Sequence, residues 1–268
     1  VSVFIWRPMP EGIEVEYYRI GALQALGRTI SSVTAEDNYY LKGETSSEEL
    51  YSFLVGDEFT AARRIGKLLL LDSKGGVTLG LRFGMTGRLL VDNVSSIDHL
   101  EYSSTRNELF WDRFSVEFED GGLLTIRDPR RLGGVELNPK VDNLGSDIYQ
   151  IDGRGLNVVL RGSSRPIKAR LMDQKQIAGL GNLLTDEILW RSSIDPRRSA
   201  DSLSKEEKRC LLYHLKSAIN QLTELGGSHM GKLQDNRVIS GFCPKDGAFL
   251  ERYKVGGRTT YSCPKHQR

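Results

Sequence analysis

A change of hydrophobic period part-way along the chain limits its fold more than any other feature. Between residues 30 and 135 apolar residues come in short runs, SSVTA, KLLLLD, VTLGLRF, RLLVDN, FSVEFED and GLLTIRD, separated by Gly, Asp, Asn and Ser. That rhythm predicts a β-sandwich or barrel. Asp120-Gly121-Gly122 lies between two of the runs and suits a hairpin turn. Past about residue 145 the spacing becomes helical in IKARLMDQ, LGNLLTDEILWRSS and KEEKRCLLYHLKSAINQLTEL. Gly226 and Gly227 close the last of these, as glycine does at a helix C-terminus. A further helix is predicted over 11–26, with Ile13, Tyr17, Ile20, Ala22 and Leu23 near helical spacing and Gly27 as the stop. The glycine-rich stretch 153–166 reads as a linker. The pattern predicts an α+β chain with a β-rich lobe to about residue 140 and a helical lobe ending in a β-hairpin.

With 268 residues, the chain is long enough for a substantial core in one large or two ordinary domains. No apolar run reaches the roughly 18 residues of a bilayer span. The opening VSVFIWRPM is too short and too little apolar for a secretory signal. Three cysteines do not make a disulfide scaffold and predict a reducing, cytoplasmic setting, with Cys210 packed as a small apolar side chain. The net charge is only +2, but residues 237–268 carry seven Lys/Arg against two acids, with Phe242, Phe249, Tyr253 and Tyr261 interleaved. Such a module suits phosphate, though charge alone fits a solvated tail equally.

The final segment, GFCPKDGAFLERYKVGGRTTYSCPKHQR, pairs Cys243 with Asp246 and Cys263 with His266 at the same spacing, sixteen residues apart. Cys243, Cys263 and His266 are good zinc ligands, and Asp246 would be an unusual oxygen ligand in a structural site. Pro244 and Pro264 follow the two cysteines and suit two matching knuckle turns. The expectation is one structural zinc, against a hairpin that needs no metal.

Four other segments are each ordinary alone: MPEGIEVE at 9–16, RRIGKLLLLD at 63–72, IRDPRRLGG at 126–134, and 172–198 with GLGN between two helical stretches. GLGN lacks the third glycine, preceding strand and downstream acid of a dinucleotide fingerprint. Gly179, Gly181 and Asn182 suit a helix-turn-helix with exposed amides able to grip phosphate. In this order, with FGMTGRL and the paired-ligand hairpin, the segments resemble the formamidopyrimidine-DNA glycosylase and endonuclease VIII family of base-excision repair enzymes. The resemblance runs from Met9 to the C-terminus. It implies a β-sandwich lobe at 9–140, a helix–two-turn–helix lobe at 141–240 and a zinc-finger-like hairpin at 241–268, with damaged double-stranded DNA in the cleft between lobes. It also implies a monomer with no membrane partner.

By the same resemblance Pro10 is the nucleophile, whose freed amine forms a Schiff base with sugar C1′, and Glu11 is the acid/base on the sugar ring. Lys67 matches a strand lysine that contacts phosphate and assists proton transfer. Arg258 matches the finger arginine that holds phosphate and assists δ-elimination. Lys168 and Asn182 match phosphate-gripping positions. Met85, Arg130 and Leu132 match the three residues that fill the gap left by the flipped base. The chain also departs from the family. Residues 1–8 and Met9 precede Pro10, and translation from Met9 would remove a mis-called extension. Trp111 stands where the family has a base-contacting His, and Leu132 where one branch has Phe. The interval from Glu224 to Cys243 is short for members specific for 8-oxoguanine. These features predict a bifunctional glycosylase and abasic-site lyase for formamidopyrimidines or oxidised pyrimidines. The alternatives are a catalytically silent lesion binder and a sequence-specific helix-turn-helix regulator.

Overall fold

The computed structural model describes residues 10–97 and 108–268. The expected extension at 1–8, and Met9, lie outside the described residues. The chain divides into two compact units: Glu14–Asp142, and the chain up to Ile13 together with Asn143–Arg268.

Helix α1 (Gly12–Ala22) begins just before the first unit. The unit then continues through β1 (Ile30–Thr34), α2 (Ser47–Leu54), β2 (Phe59–Ile65), β3 (Leu68–Ser73), β4 (Thr78–Arg82), β5 (Arg88–Val91), β6 (Val94–Ser95), β7 (Asp112–Phe118), β8 (Leu123–Arg127) and β9 (Gly134–Leu137). Its strands form two antiparallel sheets, ordered β1-β7-β8-β5-β6 and β2-β3-β4-β9. Leu69, Leu71, Leu79 and Leu81 of the second sheet meet Leu89, Phe114, Val116, Leu124 and Ile126 of the first in one core. Val15, Tyr18 and Ala22 of α1 and Leu50 and Leu54 of α2 complete it. This is the sandwich that the alternating runs imply. Helix α2 was not anticipated, although Ser46 and Glu49 form a capping box in which each side chain meets the other's backbone amide.

The second unit runs through β10 (Ser146–Asp147), α3 (Gly153–Leu160), α4 (Ile167–Leu171), β11 (Ile177–Ala178), α5 (Asn182–Arg191), α6 (Lys205–Leu225), β12 (Glu251–Val255) and β13 (Arg258–Ser262). Helix α3 corrects the linker expected at 153–166. Asp152 caps it by accepting the Gly155 amide at 2.7 Å, and Leu156, Val159 and Leu160 are buried. Helix α6 opens on a capping box between Ser204 and Glu207 and stops at left-handed Gly226. Cys210 is exposed on α6, not packed as expected. Strands β12 and β13 pair through a turn at Gly256 and Gly257, whose φ angles of 56° and 76° are those of the tight hairpin turns that favour glycine. Among the described residues, no helix is long and apolar enough to cross a membrane.

Candidate functional site

In the second unit, the chemistry gathers around α5. This helix starts after Gly181, which has no side chain to cap it. The cap comes from far away in sequence: the carboxylate of Glu11, 1 % exposed, accepts the amides of Gly181 at 2.9 Å, Leu183 at 2.8 Å and Leu184 at 3.1 Å. Three oriented amides at a helix N-terminus suit a negative charge. A Cβ on Gly181 would sit 2.3 Å from the Glu11 carboxyl carbon, so only glycine permits this approach. Gly179 has a φ of 110°, and its carbonyl accepts the Gly12 amide at 2.9 Å, fixing the residues beside Glu11 a second time. The α5 amides are therefore not the exposed phosphate grip expected of GLGN; Glu11 occupies them. Pro10 is buried beside Glu11 in sequence, and Asn182 is half-buried in the first turn of α5.

Lys168 is a clear correction. The resemblance gives it to phosphate, but it is fully buried on α4. Its ammonium lies 2.6 Å from Asp186 of α5 and donates to the Thr259 carbonyl at 3.1 Å and the Thr260 hydroxyl at 2.8 Å. Burial pulls its pKa below the usual lysine value despite the carboxylate beside it. Asp186 also pairs with Arg237 and accepts the Tyr261 amide. Lys168 thus ties α4, α5 and the hairpin together from inside. Arg258 is exposed at the first position of β13. The hairpin tip packs on α4, where a Cβ on Gly256 would come within 3.0 Å of Ala169.

The same unit holds the four expected metal donors, and their geometry fits zinc. Their donor atoms lie within 4.8 Å of one another. The two knuckles have the same build: the Gly247 amide closes on the Cys243 carbonyl at 2.9 Å and the Gln267 amide on the Cys263 carbonyl at 3.1 Å. In a tetrahedral zinc shell, donors stand roughly 3.3–3.8 Å apart. Cys263 Sγ lies 3.3 Å from Asp246 Oδ2, and Cys243 Sγ lies 3.8 Å from His266 Nδ1. His266 Nδ1 and Asp246 Oδ2 are closer, at 2.7 Å, a hydrogen bond whose proton a cation would replace. Burial pushes the Cys263 thiol up to about 11, so metal would have to displace its proton.

In the sandwich unit, Lys67 is half-buried in the turn between β2 and β3, just before the strand it was expected to open. Arg64 braces that turn through the Gly66 carbonyl at 2.8 Å and Glu16 at 3.0 Å, while Arg63 pairs with Asp72. Met85 and the pair Arg130 and Leu132 lie on two loops that touch. A Cβ on Gly84 would come within 2.4 Å of the Leu132 backbone. Fully buried Asp128 joins the loops, accepting from Thr86 at 2.5 Å and from the amides of Leu132 at 2.9 Å and Gly133 at 2.8 Å. Arg131, left-handed at φ 56°, grips Asp37 with two bonds of 2.6 Å, and its guanidinium holds that carboxyl below the usual range. Arg130 and Leu132 are exposed on either side of it, and Met85 is half-buried. Trp111 gives its carbonyl to the Asp128 amide at 2.9 Å. Sequence reasoning missed Asp128, Asp37 and Thr86. An Asp before Pro is a turn-initiating signal that points to the first.

Residues 9–135 match the family model described as the formamidopyrimidine-DNA glycosylase N-terminal domain, and residues 146–241 match that described as the formamidopyrimidine-DNA glycosylase H2TH domain. A formamidopyrimidine-DNA glycosylase of Cereibacter sphaeroides is 33% identical over 95% of this chain and 90% of its own. A crystal structure of the Lactococcus lactis Fpg (MutM) with a Fapy-dG-containing DNA has a TM-score of 0.79 at 26% identity, covering 96% of this chain and 99% of that one. A complex of the Lactococcus lactis Fpg with abasic-site DNA has a TM-score of 0.79 at 25% identity, with the same coverage of 96% and 99%.

Proposed function

This chain belongs to the formamidopyrimidine-DNA glycosylase family of base-excision repair enzymes, and on that premise we propose that it excises oxidised bases from duplex DNA and cleaves the strand through a Schiff base on Pro10. The observation that carries the reading is the Glu11 carboxylate, buried and registered by three amides directly beside Pro10. In the reaction, the Pro10 amine attacks sugar C1′ while the C1′–N bond electrons leave with the base. Glu11 moves the proton at the ring oxygen as the sugar opens, giving an iminium. The iminium acidifies the C2′ proton, and its loss expels the 3′ phosphate. Lys67 and Arg258 take the phosphate-side roles, and Asn182 grips the backbone. Met85, Arg130 and Leu132 fill the space of the extruded base. One zinc on Cys243, Asp246, Cys263 and His266 supplies structural pinning of the hairpin that bears Arg258.

Formamidopyrimidines or oxidised pyrimidines are the preferred lesions in this reading, ahead of 8-oxoguanine. The segment after α6 supports it by lying down on α5: Glu187 accepts the amides of Lys232 at 3.1 Å and Leu233 at 2.9 Å. A chain pinned there has little length left to cover a flipped purine.

An internal proline nitrogen is an amide without a free lone pair, so the reading requires a mature chain that begins at Pro10. Borohydride should trap protein beginning at Pro10 on abasic-site DNA as a covalent adduct. Lys67→Ala should lower strand scission about 100-fold or more while lesion binding holds. Absence of any adduct from the Pro10-initiated protein would leave the lesion-binding alternative instead.

A further inference from the structure

Helix α5 is capped by Glu11 at one end, and at its other end it meets the metal donors. Trp190, its penultimate residue, is 6 % exposed and shares a small core with Leu233, Cys243, Tyr261 and Cys263. Two of the four donors touch it. Its indole Nε1–H donates to Cys243 Sγ at 3.2 Å. Its carbonyl lies 3.3 Å from His266 Nε2, and also accepts the Ser193 amide at 3.2 Å. The indole and imidazole rings stand edge to face at 6.1 Å and 72°.

With Nδ1 on a metal the imidazole proton would stand on Nε2, where the Trp190 carbonyl, which can only accept, is in place to receive it. Nδ1 faces Asp246 Oδ2 and Cys243 Sγ, the side on which the other donors gather. We propose that Trp190 is a positioning residue of the metal centre: its carbonyl selects Nδ1 of His266 as the ligating nitrogen, and its indole N–H holds the Cys243 sulfur in place. An indole has one N–H and no acceptor, so toward the sulfur it can only donate. Groups that orient ligands from outside a metal's coordination shell typically set metal affinity by 10–100-fold, though they never touch the ion. The inference rests on zinc binding by the four donors and adds which nitrogen ligates and what fixes it.

Two measurements on the full chain test it. In the zinc-loaded protein, long-range proton–nitrogen correlation should show His266 protonated at Nε2 and metal-bound at Nδ1, and the Trp190 indole proton should shift when zinc is removed. Trp190→Phe keeps an aromatic ring but deletes the donor. Against a competing chelator, it should bind zinc about 10–100-fold more weakly than the parent. In the cobalt-substituted form, its sulfur-to-cobalt charge-transfer band should move. Zinc bound through Nε2, or a folded Trp190→Phe with parental zinc affinity and an unmoved cobalt band, would overturn the assignment while leaving zinc in place. A parent chain that takes up no zinc would sink both the metal centre and this inference. If Trp190→Phe does not fold, the imidazole and indole resonances of the parent decide alone.

Discussion

Strands β3 and β4 carry Leu69, Leu71, Leu79 and Leu81 into a shared apolar core. Helix α5, of similar size, instead carries Asp186 to an ammonium and a guanidinium, Glu187 to backbone amides and Arg191, and Trp190 to sulfur. Apolar burial is non-directional, so a sandwich of this kind tolerates volume-conserving exchange. A buried charge needs its particular partner, and losing that partner costs far more than the pair contributes net. The two units should therefore answer differently to single substitutions.

The largest effect should come from Asp186→Ala, which leaves Lys168 buried and uncompensated beside Arg237. Removing one partner of a buried pair costs about 3–5 kcal/mol. Urea unfolding should show this loss, and hydrogen exchange should place it in α4, α5 and β13 with the sandwich unit unaffected. A cost under about 1 kcal/mol would mean that the two units are held alike, since this is below even the usual penalty for an orphaned buried group. A smaller effect is expected in the sandwich, where Ile126→Val at a fully buried position of β8 should cost about 0.5–1.5 kcal/mol and leave exchange in α5 unchanged.

The smallest effect concerns acid. The Arg198 guanidinium, bonded to Glu207, lowers that carboxyl to about 2, and the Ser204 amide adds to the shift. A depressed folded pKa contributes stability above the unfolded value of about 4.3, and loses it as pH falls through about 2. Glu207→Gln should flatten that part of the acid-unfolding curve. At neutral pH it should cost less than about 1 kcal/mol, because the pair is half-open to water. An unchanged acid profile would show that the Arg198–Glu207 contact exerts no effect in solution.

The same contrast decides what could be read from the chain. The strand runs and the β7–β8 turn were legible because alternation is local, and so was the symmetric CPKD and CPKH pairing that became two matching knuckles. Helix α2 left a readable trace in Ser46 and Glu49 that the surrounding strand rhythm hid. Helix α3 was obscured by Gly153 and Gly155, although Leu156, Val159 and Leu160 kept helical spacing. Nothing local marks Lys168 as buried, since its partners Asp186, Thr259 and Thr260 are distant in sequence. The Glu11 contact with α5 is equally hidden, and so was the role of GLGN, whose glycines admit a carboxylate.

That contact also sets an order of events during synthesis. Glu11 leaves the ribosome well before α5, since the amide of Leu184 that completes its cradle lies 173 positions later. Until then the carboxylate has no fixed orientation, and closing so long a loop costs roughly 4–5 kcal/mol in chain entropy by the (3/2)RT ln n rule. A nascent chain cut short before α5 could finish its sandwich and still hold Glu11 at random. The acid is put in register only when α5 arrives to receive it, so products truncated before that helix would carry Pro10 and Glu11 without this alignment.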